Sequence, residues 1–147
     1  MSRGKPLWTC PACGRRFVNR NQWHSCGHFT VGAHLEDKDP SVVALYDRFV
    51  EMVKRCGPVT LVPTKTRIGF QVRITFAEVV PLKRWLDADF LLARRLEHPR
   101  LRRIESLSPR NHVHHLRITE LEELDGEVQR WLCEAYQVGR QAHLADR

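Results

Sequence analysis

The feature that most constrains this chain is a dense cysteine and histidine cluster near its start. Cys10-Pro-Ala-Cys13 places two thiols two residues apart, and twelve residues intervene before Cys26, with His24 two positions ahead of it. A Cys-x-x-Cys turn can aim both sulfurs at one ion, and a tetrahedral zinc ion is completed by two further thiolate or imidazole donors. Two ligand sets fit. Cys10, Cys13, His24 and Cys26 form one, with His24-Ser25-Cys26 as the second clip. Alternatively His28 pairs with His24 and displaces Cys26, while His34 is a more distant candidate. Phe17 and Trp23 have the spacing of the miniature core of such a module. A four-ligand zinc site is closed, so Zn2+ here is expected to be structural rather than catalytic.

The charge distribution points the same way. The chain carries a formal net charge of +7, yet residues 1–28 hold Arg3, Lys5, Arg15, Arg16 and Arg20 and no Asp or Glu. Most of the excess therefore sits on the cysteine-rich segment. Arginines interleaved with Trp8, Phe17 and Trp23 suit an anionic partner, because guanidinium groups take phosphate and rings stack on bases. Arg15, Arg16, Arg20 and Trp8 are the residues expected to carry nucleic-acid or other polyanion binding. A solubilising surface on a small module would have the same composition.

Hydrophobic residues make up 42% of the 147 residues, enough for one buried core. No apolar run approaches the ~20 residues of a membrane span. Met1 to Leu7 is polar, unlike a secretory signal, and a cytoplasmic location is expected. The organisation read from pattern is a zinc-binding module over 7–28, a connector over 29–40 and an α+β domain over 41–140. Within that domain a helix starts after Asp39-Pro40 and repeats Val42, Leu45, Tyr46, Phe49, Met52 and Val53 on one face until Gly57-Pro58. Strand patterns follow at Val59–Val62, at Ile68–Phe76 (as one strand, or as two with a turn near Arg73), at Leu86–Leu92, at Leu101–Leu107 and at His112–Ile118. A last helix buries Leu124, Val128, Trp131, Leu132, Ala135 and Tyr136 and ends near Gly139. Thr119 with Glu122 fits a capping box for it, and Asp125 offers a later start. The fold class expected is α+β: an N-terminal zinc knuckle, a helix, a mainly antiparallel β-sheet and a C-terminal helix.

Several residues carry the resemblance of this chain to a known family. They are Trp8-Thr9-Cys10-Pro11, Cys13-Gly14-Arg15, Phe17, Asn21-Gln22 and His24-Ser25-Cys26. Further along they are Lys65, Ile68-Gly69-Phe70, Phe76-Ala77, Pro81-Leu82-Lys83, His114-His115 and the Leu124-Asp125 to Ala135-Tyr136 helix. Together they resemble bacterial members of the uncharacterised family known as domain of unknown function 5655. The resemblance runs from Trp8 to about Gly139. It implies a bacterial cytosolic α+β domain with a zinc knuckle and no particular reaction.

Other constellations are weighed against plain structural roles. His112 and His114 share a strand face and could chelate a metal, while His115 faces the other way; hydrogen-bonded strand histidines are the default. Asp87 and Asp89 share a face and could hold magnesium, although alternation requires polar residues there anyway. Arg94, Arg95, Arg100, Arg102 and Arg103 crowd one connection, either as a phosphate site or paired with the acidic run Glu120 to Glu127. Cys56 and Cys133, on predicted helices, read as core packing. There is no nucleophile elbow, phosphate-cradling glycine loop or dinucleotide fingerprint. The leading expectation is thus a non-enzymatic zinc-knuckle module that binds nucleic acid or another polyanion. The alternatives are a small-ligand-binding or enzymatic domain with a site near Lys65, Lys83 and His114, and a protein-interaction adaptor with purely structural zinc.

Overall fold

The computed structural model describes residues 6–11, 14–21 and 29–142. Two short strands, β1 (Trp8–Thr9) and β2 (Arg16–Phe17), form an antiparallel hairpin. Two helices follow, α1 (Val31–Leu35) and α2 (Pro40–Cys56). Then come β3 (Thr60–Pro63), β4 (Ile68–Gln71), β5 (Thr75–Pro81), β6 (Leu86–Leu92), β7 (Arg103–Ser108) and β8 (Asn111–Ile118), and finally α3 (Gly126–Gly139). The six later strands make one sheet in the order β3-β4-β5-β6-β8-β7, with every pairing antiparallel. The α+β architecture with a C-terminal helix is as expected from the pattern.

The helix α2 forms where its signals converge. Asp39 caps it, its Oδ1 accepting from the Ser41 amide at 2.9 Å, and Pro40 occupies the first turn. Its apolar stripe of Val42, Leu45, Tyr46, Phe49, Met52 and Val53 is buried. At its end Gly57 adopts φ +149°, and a Cβ there would lie 2.5 Å from the Tyr136 hydroxyl. That hydroxyl donates to the Pro58 carbonyl at 2.6 Å, tying the α2 exit to α3.

Both long helices pack on one sheet face. Alternation in β6 buries Leu86, Ala88, Phe90 and Leu92, and alternation in β8 buries His112, His114, Leu116 and Ile118. Phe70, Ala77, Phe90 and His114 lie side by side across β4, β5, β6 and β8. Phe90 sits between the His114 ring, 5.3 Å away, and Trp131 of α3, 5.9 Å away. The other face takes the intervening polar positions, and this is what positions the candidate site.

Several local readings are resolved, among them the two-strand alternative with a break near Arg73 and the later start of α3 at Asp125. The connector over 29–40 contains α1, capped by Thr30 and packed through Val31 and Leu35 against the core. The 68–76 pattern is two strands, because the Arg73 and Ile74 amides both donate to the Gly139 carbonyl and pull the chain out of the ladder. No Thr119–Glu122 capping box forms. Glu123 instead accepts from the Thr119 and Glu120 amides within a short 3-10 turn (Leu121–Glu123), and Asp125 caps α3 through the Val128 amide.

Cys56 and Cys133 are not separately packed thiols. They form a disulfide that joins the end of α2 to the middle of α3, with Cα atoms 5.2 Å apart. Such bonds persist in oxidising surroundings, so this pair does not support the cytoplasmic location expected from Met1 to Leu7. Among the described residues no helix is long and apolar enough to cross a membrane.

Candidate functional site

The candidate features are two: the N-terminal hairpin, and a charged row across the sheet face opposite α2 and α3.

In the hairpin, Trp8 pairs with Phe17 across the strands, their rings 6.2 Å apart. The connection between them folds back sharply. The Gly14 amide donates to the Cys10 carbonyl and the Cys10 amide to the Arg15 carbonyl, both at 2.8 Å. Gly14 takes φ +76°, a left-handed conformation that glycine adopts without strain, and Cys10 is buried. The Arg15 guanidinium lies 5.4 Å from the Phe17 ring centre. Arg16 and Arg20 are exposed, and neither makes an ion pair with a carboxylate among the described residues. Gln71 at the end of β4 donates from Nε2 to the Arg16 carbonyl, so the hairpin rests against the β3–β4 side of the sheet. Cys13, His24, Cys26 and His28 lie outside the described residues. Among the described residues no group of three or more histidine, cysteine or acidic side chains is arranged to hold a metal.

The charged row follows from strand register. Gly69, Glu78, Asp89, His115 and Arg103 are consecutive cross-strand neighbours on β4, β5, β6, β8 and β7. Arg67 reaches Glu78 at 3.1 Å and Asp89 at 3.8 Å. The His115 Nε2–H donates to Glu105 at 2.5 Å. Two residues along, Asp87 holds Arg117 through two hydrogen bonds, at 2.9 and 3.3 Å. Burial pushes the Asp89 carboxyl up to about 7; the neighbouring Glu78 carboxylate adds to this and Arg67 partly offsets it. Asp87 and Asp89 do share a face, as the alternation implied. Each is answered by an arginine, and Asp89 can carry a proton near neutrality.

That carboxyl sets a pH dependence. Its folded pKa lies above the unfolded value near 4, so between about 4 and 7 the native state binds more protons than the unfolded chain. Stability from this group is therefore lost as pH rises through 7. Asp89→Asn is expected to stabilise the fold by ~2 kcal/mol at pH 8, less than the full shift because contact with Arg67 is lost, and to change little at pH 4. Urea unfolding at the two pH values checks this. Lower stability of the variant at pH 8 would contradict it.

The other sequence-derived candidates are not gathered into a site. His114 is wholly buried on the helix-covered face. Its Nδ1–H donates to the His112 carbonyl at 2.9 Å, and its Nε2 accepts from the Leu96 amide at 2.9 Å. Burial lowers its pKa. His112 likewise spends both ring nitrogens, on Ser106 Oγ and the Pro109 carbonyl, so the pair has no lone pair left for a metal. Lys65 and Lys83 sit in the β3–β4 and β5–β6 turns at one end of the sheet, away from the His114 ring. The arginine-rich connection is largely spent on structure. Arg94 makes two bonds to Glu134, at 2.8 and 2.9 Å, and Arg100 bridges Asp125 and Glu127. Sequence reading missed the partners in the row, Glu78 and His115. Extending the 68–76 alternation would have put Glu78 on the apolar face; the register shift at Phe70/Gln71 is what turns it to the face of Asp89.

These elements define an α+β domain with one helix-covered sheet face and one charged face. The chain belongs to the family described as Domain of unknown function (DUF5655), whose model matches residues 31–139. No curated protein and no solved structure matches the chain.

Proposed function

We propose that this protein is a non-enzymatic binding module for single-stranded nucleic acid, in which the N-terminal segment makes the contacts and a structural zinc ion staples it. The observation that carries the reading is the contrast between the two arginine groups. Arg94 and Arg100 are committed to carboxylates, whereas Arg16 and Arg20 stand exposed in the same segment that carries the Trp8–Phe17 ring pair. Phosphate contacts supply most of the affinity of such modules, and rings add sequence-tolerant stacking.

The zinc part is supported by the local fold. The Gly14 amide donates to the Cys10 carbonyl and Cys10 is buried, which suits one thiol of a Cys-x-x-Cys metal clip. Cys10, Cys13, Cys26 and His24 would hold the ion, with His28 as the alternative fourth ligand. Three thiolates and one zinc ion leave a net charge of −1, so residues 1–28 keep a charge of about +4 with the histidines neutral.

Two measurements test the reading. Protein purified without added metal is expected to contain one zinc per chain, and a stoichiometry near zero with Cys10 and Cys13 freely alkylated removes the staple. Reversing Arg15, Arg16 and Arg20 to Glu is expected to weaken binding to a short single-stranded RNA at least tenfold. Reversing Arg94, Arg95 and Arg100 instead should have a much smaller effect. The opposite ranking would move the interface to the connection before β7.

A further inference from the structure

We infer that the cavity where β7 begins against β8 is a separate site for the phosphate group of a small phosphomonoester. The strand β7 begins at Arg103, opposite His115, so Leu116–Ile118 of β8 have no strand partner on that side. A cavity of about 510 Å³ opens there, lined by Arg102, Arg103, Arg117, His115 and Asp87 among others. Its size is within the range of small-ligand sites.

The charges of the lining are unbalanced. Three guanidinium groups and one carboxylate line the cavity, an excess of two positive charges in the lining itself, while the exposed Glu105 pairs with Arg103 and His115 from outside the lining. A phosphomonoester carries about −1.5 to −2 at neutral pH and presents three acceptor oxygens, so one such group fits the excess. Arginine forks match those oxygens in pairs.

The arginines are also graded in commitment. Arg117 is fixed: Asp87 grips it at 2.9 Å, and its guanidinium lies 4.5 Å from the Trp85 ring centre. The Trp85 Nε1–H under it is buried and has no acceptor among the described residues. Among the described residues Arg103 makes one ion pair, with the exposed Glu105 at 3.4 Å. Arg102 is exposed and makes no ion pair among the described residues, although its amide is anchored on the His115 carbonyl at 2.8 Å. One guanidinium held by Asp87 and Trp85 and two exposed ones suit a ligand that enters from solvent. This site uses none of the N-terminal arginines, so it stands or falls independently of the nucleic-acid reading.

The test is an NMR titration of the full chain with inorganic phosphate and with glycerol 3-phosphate at constant ionic strength, with succinate as a dianion of different shape. Saturable shifts are expected for the Trp85 indole and for amides near Arg102, Arg103 and Arg117, with half-saturation on the order of 1 mM. Arg102→Glu with Arg103→Glu, both at exposed positions, should weaken binding at least tenfold while leaving the rest of the spectrum native. Lys54→Glu with Arg130→Glu, on exposed positions of α2 and α3, makes the same charge change and should leave binding intact. Absence of saturable shifts, equal weakening by both double variants, or equal response to succinate would overturn the assignment.

Discussion

Replacing Cys56 and Cys133 together with serine is expected to lower the unfolding free energy by about 4 kcal/mol. The two residues are 77 positions apart, and the bond between them closes almost the whole sheet into one loop. Cross-linking a loop of that length removes much of the conformational freedom of the unfolded chain, and the chain-entropy relation gives a stabilisation of this size. The native helices should survive the change, because α2 and α3 also meet through Gln129, whose side chain donates to the Met52 carbonyl at 2.8 Å, and through the Tyr136–Pro58 bond. Urea unfolding of wild type and double variant, followed by far-ultraviolet circular dichroism without reductant, reads the difference directly. A difference under about 1 kcal/mol would mean that the bond adds little to a preformed helix contact.

His114→Ala is expected to cost about 3–5 kcal/mol, comparable to truncating a core aromatic. The substitution removes a ring stacked on Phe90, opens a void beside Phe90 and strips the Leu96 amide of its acceptor. It should also change the acid limb of the stability profile. The neutral ring is held by its burial, so its folded pKa lies below the unfolded value near 6.5. As pH falls below 6.5 the unfolded chain takes up a proton that the native state refuses. His114 therefore makes stability fall on acidification until its own folded pKa is passed. Asp89 acts in the opposite sense, gaining a proton in the native state first. Removing His114 should leave the Asp89 trend exposed, so that stability between pH 6.5 and 5 falls less steeply on acidification in the variant. An unchanged slope would show that another group governs that limb.

How much of this was legible in the residues depended on whether the deciding contact was local. The helix α2 could be read almost to the residue, because Asp39, Pro40 and Gly57 act within one turn and the apolar stripe repeats every three to four positions. The strands β6 and β8 were equally readable, since one buried and one polar face impose strict alternation. The strand β5 was cut short at Phe76, since Val79-Val80-Pro81 is apolar on both faces and carries no period. The break before it has no turn residue, because it is made by the Gly139 carbonyl, which lies 65 positions beyond Ile74. The Cys56–Cys133 bond was invisible for the same reason. Each cysteine looks like core packing until α2 and α3 are set side by side. The histidines show the converse: three within four residues suggest a metal, yet His112 and His114 are consumed by backbone and hydroxyl partners that only the folded β7–β8 hairpin and its flanking loop supply. The row Glu78–Asp89–His115 required the register of three strands, of which the sequence marked two.

The central claim, that the N-terminal arginines hold single-stranded nucleic acid, is tested most directly by the salt dependence of binding. Fluorescence anisotropy of a labelled RNA, titrated with the full chain at a series of salt concentrations, gives the slope of log affinity against log salt. Three phosphate contacts at about 0.7 each on a single strand predict a slope near −2 for wild type, and a slope near zero when Arg15, Arg16 and Arg20 are reversed together. Binding that keeps the same slope after reversal, or no binding above background at low salt, would contradict the claim.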